Sequence, residues 1–166
     1  MRWRLYASIG GRSGCGVPPR KQRIPVVLDT NTVIAYYLSR SARSAARWIF
    51  HLWRDLRRVE FIVSDEVIEE YVEVLRRLQV AEPRLRRFRE RLLRRAIVTR
   101  VNLGARPTAS RDPDDNVFLA TAIAGRAKFV ITNDPDLLNI PGGERRRFKF
   151  VIVTPRQFLV EAEHSD

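Results

Sequence analysis

Apolar residues fall into two rhythms along this chain. Short unbroken runs recur at Val26-Val27-Leu28, Phe61-Ile62-Val63, Ile97-Val98-Thr99-Arg100-Val101, Phe129-Val130-Ile131-Thr132 and Phe148 to Val153. Runs of this length, rich in branched side chains, read as strands buried on both faces of a parallel sheet. Between them the apolar spacing turns helical. Val33 to Leu38 begins one helix, and Ala42 to Arg58 continues with Trp48, Leu52 and Leu56 four apart beside Ile49 and Trp53. Ser64 reads as the N-cap of a further helix whose face is Val67, Ile68, Tyr71, Val74, Leu75 and Leu78. Residues 83–95 predict an amphipathic helix with Leu85, Phe88, Leu92 and Leu93 inward, and Pro113 to Arg126 another. Pro155 starts the last, through Phe158 and Leu159. Strands alternating with helices predict a parallel sheet in a three-layer α/β domain.

Residues 1–22 break both rhythms. Gly10, Gly11, Gly14, Gly16, Pro18 and Pro19 crowd together without periodicity, which reads as a flexible extension or a mis-assigned start before a domain over 23–166. The apolar stretch Leu5 to Ile9 is too short for a signal peptide. At 166 residues and 45% hydrophobic the chain fits one domain with a real core. No apolar run approaches a membrane span, and a cytoplasmic location is expected. One cysteine, Cys15, excludes an internal disulfide and a cysteine-rich zinc site. The two histidines, His51 and His164, have no evident partner in sequence, which disfavours histidine catalysis. Chemistry, if present, falls to carboxylates.

The charge of +12, from 31 Lys+Arg against 19 Asp+Glu, favours a polyanionic partner, nucleic acid or an acidic protein. Only three of the basic residues are lysine, and so strong an arginine bias can also reflect codon composition. Seven arginines between Arg84 and Arg95 form either a solvated helix face or a nucleic-acid contact.

Asp29 ends the first apolar run. A charge inside a two-faced strand would cost on the order of several kcal/mol, so it belongs at the carboxyl end, where open α/β sheets place ligand sites. Asp-Thr-Asn is also ordinary turn and N-cap chemistry. A second acidic stretch, Asp112-Pro113-Asp114-Asp115-Asn116, reads as a helix start with Asp112 as N-cap. Yet Asp115, Phe118, Leu119 and Ala122 share one face at i, i+3, i+4 and i+7, which puts Asp115 on a buried stripe. Asp114 is turned ~100° away. A third stretch, Thr132-Asn133-Asp134-Pro135-Asp136, again follows a strand. Glu69 and Glu70 both border the buried face of their helix, and periodicity leaves the choice between them open. Carboxylates sharing a pocket repel and raise one another's pKa unless a cation sits among them, and all-oxygen ligation suits Mg²⁺ or Mn²⁺.

These stretches, with Ser64-Asp65-Glu66-Val67-Ile68-Glu69-Glu70 and Val130-Ile131-Thr132-Asn133-Asp134-Pro135-Asp136-Leu137-Leu138, resemble the PIN-domain nucleases in order and spacing over about residues 24 to 160. The resemblance is in particular to the toxin component of toxin–antitoxin pairs. The resemblance implies a five-stranded sheet in the order 3-2-1-4-5. It makes Asp29, Glu70, Asp115 and Asp134 the metal-binding acids, oriented by Asn31 and Thr132, with Asp136 as accessory ligand. It implies Mg²⁺- or Mn²⁺-dependent hydrolysis of RNA, a small antitoxin as partner and frequent homodimers. Asp65 stands where such proteins often have proline, a difference confined to the helix start.

Rival readings are a non-catalytic PIN-type nucleic-acid-binding module and a phosphohydrolase with an aspartyl nucleophile. The second commonly has another Asp two positions on, where this chain has Asn31. A flavodoxin-like binder lacks its glycine-rich phosphate loop after Asp29.

Overall fold

A computed structural model describes residues 23–41, 43–94, 98–104 and 107–164. The predicted extension over 1–22, with Cys15, lies outside the described residues, as do Ala42, Arg95 and Ile97. In chain order the elements are β1 (Ile24–Leu28), α1 (Thr30–Leu38), α2 (Ala45–Arg54), β2 (Val59–Ser64), α3 (Asp65–Arg77), α4 (Glu82–Leu92) and β3 (Val98–Val101). There follow α5 (Asn116–Ala124), β4 (Phe129–Ile131), α6 (Pro135–Leu138), α7 (Gly142–Arg145), β5 (Val151–Val153) and α8 (Pro155–Glu163).

The five strands are all parallel, in the order β3-β2-β1-β4-β5, and helices flank the sheet in an α/β/α arrangement. The apolar runs explain the centre. Val26 and Val27 are wholly buried, with Phe129 and Val130 beside them in register. β1 leads outward through β2 to β3, and the chain then returns to β4 on the other side of β1. The topological switch point therefore lies between the carboxyl ends of β1 and β4, where open sheets of this class bind ligands. Register pairs Leu28 with Ile131, so Asp29 and Thr132 emerge side by side.

Aromatic stacking anchors α1 and α2. Phe50 stacks on Tyr36 at 3.8 Å between centroids, and Trp53 on Phe61 of β2 at 4.3 Å. Among the described residues no helix is long and apolar enough to cross a membrane.

Several predicted faces and limits shift. α1 starts at Thr30, directly after β1, rather than at Val33. α2 stops at Arg54, because Arg57 takes a left-handed conformation, and Leu56 is exposed. α3 begins as predicted, with Ser64 Oγ accepting from the Val67 amide at 3.2 Å. It ends at Arg77, and the left-handed Gln79 turns the chain so that Leu78 is exposed. Val72 rather than Val74 is buried on that helix. Leu93, just past α4, is exposed while Leu85, Phe88 and Leu92 are buried. α5 begins at Asn116 instead of Pro113. Residues 113–118 enter it through i→i+3 bonds, Asn116 to Pro113 and Phe118 to Asp115, a tighter winding than an α-turn. β5 spans only Val151–Val153 of the predicted stretch from Phe148.

Gly125 closes α5 against β2. A Cβ there would land on Ile62 Cγ2 and lie 3.2 Å from Ile62 Cβ. Overpacking of this kind costs about 1–3 kcal/mol. Gly125→Ala is expected to lower stability by that amount in urea denaturation, whereas Gly142→Ala, with open space around its Cβ, leaves the midpoint nearly unchanged.

Candidate active site

Three acids are delivered by the segments that follow strands, and the fourth by the loop entering α5. Asp29 is the first residue past β1 and is 3% exposed. Its backbone takes the N-cap position of α1, but its side chain makes no capping bond. Instead Thr132 Oγ1, from the end of β4, donates to Asp29 Oδ2 at 2.7 Å. The same hydroxyl accepts from the Asp134 amide at 2.7 Å, so one threonine links two of the acids. Asp134 caps α6, with Oδ1 accepting from the Asp136 amide at 2.8 Å. Asn31 Nδ2 lies 3.4 Å from Asp134 Oδ2. Asp136 is half-buried beside it, and the contact it makes to Asp134 is through its backbone.

Glu70 projects from α3. Its Oε1 accepts from Thr30 Oγ1 at 2.5 Å, and the residue is half-buried. Glu69 is exposed and pairs instead with Arg89 at 2.8 Å, which separates the two glutamates that periodicity could not. Asp115 is half-buried, with Oδ2 accepting from Ser110 Oγ at 3.0 Å. Tyr71, next to Glu70 and fully buried, donates its hydroxyl to the Leu28 carbonyl, tying α3 to the last residue of β1. Burial, and then the charges of Asp29 and Glu70, push its pKa far up, so it remains a donor.

The acids sense one another. Burial raises the Asp29 pKa, opposed by the Thr132 hydroxyl and the Asn31 amide and reinforced by the charge of Asp134. Glu70 is raised by burial, opposed by Thr30, and pushed further by Asp29, Asp114 and Asp115. Asp115 is pushed up to about 6 by burial, opposed by Ser110, and by the charges of Asp134, Asp29 and Asp112. The structure thus brings Asp29, Glu70, Asp115 and Asp134 into one electrostatic neighbourhood.

The expectations for the stretch before α5 need correction here. Asp112 does not cap the helix: its Oδ1 accepts from the Asp114 amide at 2.9 Å, a local turn three residues ahead of α5. Asp114 is exposed, but its charge reaches Glu70, so it is not electrically outside the site. Nor is Asp115 placed by a buried helical stripe. Residues Asn116 to Ala122 of α5 are all buried, so the helix has no single inward face, and the preceding turn aims Asp115.

Thr30 and Ser110 escaped sequence reading altogether. Their only signal was a hydroxyl near an acid, and Thr30 meets Glu70 across forty positions of chain. His51 does have a partner, contrary to expectation: its Nδ1 lies 2.7 Å from Asp55 Oδ2, four residues on. Arg54 grips the same carboxylate with two bonds, and the Asp55 pKa is held well below the usual range by Arg54 and then His51. This cluster ends α2, just before the amino end of β2, on the opposite rim of the sheet from the acids.

The model of the PIN domain family matches residues 25–136, two thirds of the chain and all four acids. The chain belongs to the PIN domain family. No curated protein matches it. PIN domains are nuclease-type modules that typically use divalent metals, and the donor set here fits such an ion: four carboxylates, no nitrogen or sulfur ligand, with burial and mutual repulsion that a cation would relieve. Among the described residues no three acidic, His or Cys side chains stand close enough to enclose an ion as they are. The hydroxyl clamps each engage one oxygen of Asp29, Glu70 and Asp115.

A pH dependence follows from Asp115. Its folded pKa of about 6 exceeds the ordinary 3.8, so the folded state holds the proton more tightly. Ionising it in the fold is unfavourable, and its contribution to stability declines as pH rises through that window and levels above it. In EDTA, urea denaturation at pH 4 and pH 7 should show Asp115→Asn gaining on wild type as pH rises. A constant difference between the two proteins would mean that Asp115 titrates normally.

Proposed function

We propose that this PIN domain is a metal-dependent endoribonuclease, the toxin of a toxin–antitoxin pair, hydrolysing RNA phosphodiesters with activated water. The observation that carries the reading is the convergence of Asp29, Glu70, Asp115 and Asp134 from four segments, three of them with pKa values raised partly by the others' charge. Natural folds tolerate such repulsion where a function uses it. In this reading the four acids hold Mg²⁺ or Mn²⁺, with Asp136 as an accessory ligand. When bound, a divalent ion lowers the pKa of water and offsets charge on a phosphodiester undergoing in-line displacement.

The chain's own groups prepare that chemistry. Thr132 fixes Asp29 and the turn carrying Asp134, and Thr30 fixes Glu70. Ser110 holds Asp115. Each clamp leaves its carboxylate oriented by a neutral donor, which adds no competing charge. The reaction adds water across a P–O bond: the water oxygen joins phosphorus, and the departing oxygen takes a proton. With an ion bound the acids would be held ionised, and a carboxylate oxygen of Glu70 or Asp115 left free by the ion would be available to receive the proton that water releases. A small antitoxin, a homodimer and a cytoplasmic location belong to the same proposal, supported by the family membership and the +12 charge.

Cleavage of a single-stranded RNA in Mn²⁺ against EDTA tests it. Wild type should cut only with metal. Asp29→Asn and Asp115→Asn should lose nearly all cleavage while remaining folded. Thr132→Val, which removes a clamp but no acid, should lose roughly 10–100-fold, as supporting groups around metal sites do. Robust cleavage by folded Asp115→Asn, or cutting undiminished in EDTA, would overturn the assignment. RNA binding without any cleavage would favour the non-catalytic module.

A further inference from the structure

The arginines of α4 do not form a uniform coat. Arg84, Arg87 and Arg91 fall at i, i+3 and i+7, one stripe of the helix. Arg89 lies on the other flank of the buried face, where it pairs with Glu69 of α3. The helix's two acids are elsewhere too: Glu82 lies 3.9 Å from Arg76 on the α3 side, and Glu90 is exposed on the outer face. None of Arg84, Arg87 and Arg91 has an ion-pair partner among the described residues.

This stripe faces α1. The Arg84 guanidinium lies over the Tyr37 ring, 5.1 Å from its centroid, and Tyr37 packs edge-on against Phe88 of α4 at 5.5 Å. Arg84, Arg91 and Arg87 all act on the Tyr37 hydroxyl, opposing the rise that burial imposes on it. On α1, Thr30, Ile34 and Tyr37 stand at i, i+4 and i+7, again one stripe, ~10 Å long at 1.5 Å per residue. Its far end is Thr30, bonded to Glu70. α4 runs antiparallel to α3, as the Arg76–Glu82 and Glu69–Arg89 pairs show, so Arg91 is the stripe's end nearest the acids.

We propose that Arg84, Arg87 and Arg91, with Tyr37 beneath Arg84, form the track that carries a single RNA strand to the Glu70 side of the acid set. The choice of RNA rests on the nuclease reading; the track itself rests on the placement of the arginines. A linear row of guanidinium groups matches a linear row of phosphates, and one row serves one backbone rather than two. A guanidinium plane already seated on an aromatic ring gives an unpaired base a surface to stack on. The track also answers a physical need. An acid-lined centre repels the polyanion it must engage, so attraction has to come from basic surface leading up to it.

The test is binding of 5′-fluorescein oligouridylate to the full chain in EDTA, by fluorescence anisotropy at low and physiological salt. The stripe variant is Arg84→Ala/Arg87→Ala/Arg91→Ala. The control, Arg146→Ala/Lys149→Ala/Arg156→Ala, removes the same charge from the β5 half of the molecule. Thermal melts verify that both fold. The stripe variant should bind at least about 10-fold more weakly than the control, and its slope of log K against log salt should shrink by about 2, from three phosphate contacts at about 0.7 each. Equal weakening in the two variants, or an unchanged slope, would overturn the track. If charge-matched polyglutamate binds wild type as tightly as the oligonucleotide and loses as much in the stripe variant, the stripe is an acidic-protein surface and the RNA assignment falls. Cleavage in Mn²⁺ is scored separately. No cleavage with the differential binding intact removes the nuclease reading and keeps the track, whereas cleavage with equal binding removes the track alone.

Discussion

A carboxylate at the end of a strand buried on both faces can exist only if something replaces the water it has lost. Asp29 follows Val26, Val27 and Leu28, none more than 2% exposed, and is itself nearly as buried. The largest replacement is the Thr132 hydroxyl, joined by the Asn31 amide, and that hydroxyl arrives because Leu28 and Ile131 are register partners in adjacent parallel strands. A hydrogen bond to a charged group contributes about 1.5–3 kcal/mol, too little to hold two strands in place but enough to fix a side chain once they are. Causality therefore runs from sheet to site. β1–β4 pairing places Thr132, Thr132 orients Asp29 and the Asp134 turn, and Thr30, the residue after Asp29, reaches Glu70 as α1 begins.

That order explains how acids that repel one another share a neighbourhood. No attraction among Asp29, Glu70, Asp115 and Asp134 assembles them; each is carried in by an element with its own apolar reason to pack. Tyr71 shows the arrangement most directly. Its ring is in the core, and its hydroxyl holds the Leu28 carbonyl, so α3 is locked to β1 one residue from Asp29 while Glu70 is presented beside it. Removing the sheet contacts would scatter the acids, whereas neutralising one acid should relieve strain rather than create it.

The strands were legible because a short branched-apolar run has few alternatives once it must be buried, and their carboxyl ends marked Asp29 and Asp134. Limits of helices were less legible for definite reasons. Asp112-Pro113-Asp114-Asp115 has the composition of a cap, yet the Asp112 side chain closes a turn onto Asp114 and delays α5 by three residues. Periodicity put Asp115 on a buried stripe, but α5 is buried all round from Asn116 to Ala122, and the turn before it carries Asp115 into the field of Asp134 and Asp29. Leu78 and Leu93 fitted an apolar repeat that the backbone abandons one residue too early for them. Thr30 and Ser110 carry no periodic or compositional mark; only tertiary proximity makes a hydroxyl into a clamp. Glu69 and Glu70 differ by one position, and the distinction came from their partners, Arg89 and Thr30.

The surplus of arginine is best understood by what it does not do. Pairs such as Arg77 with Glu73 and Arg147 with Glu144 are exposed, and exposed pairs contribute about 0–1 kcal/mol. Stability therefore gives little reason for so basic a surface. Position gives a better one. α1 starts at the acids and carries Tyr37 in its last turn, where α4 brings its unpaired stripe, so a single nine-residue helix joins the repelling centre to the attracting surface. The Tyr36–Phe50 stack fixes α1 on α2, and Phe50 in turn packs edge-on against Phe61 of β2. The same aromatic core that holds the helix on the sheet thus sets the distance and angle between the carboxylates and the arginines. A change in that core should be felt at both ends of α1 together, because it shifts the one helix that joins them.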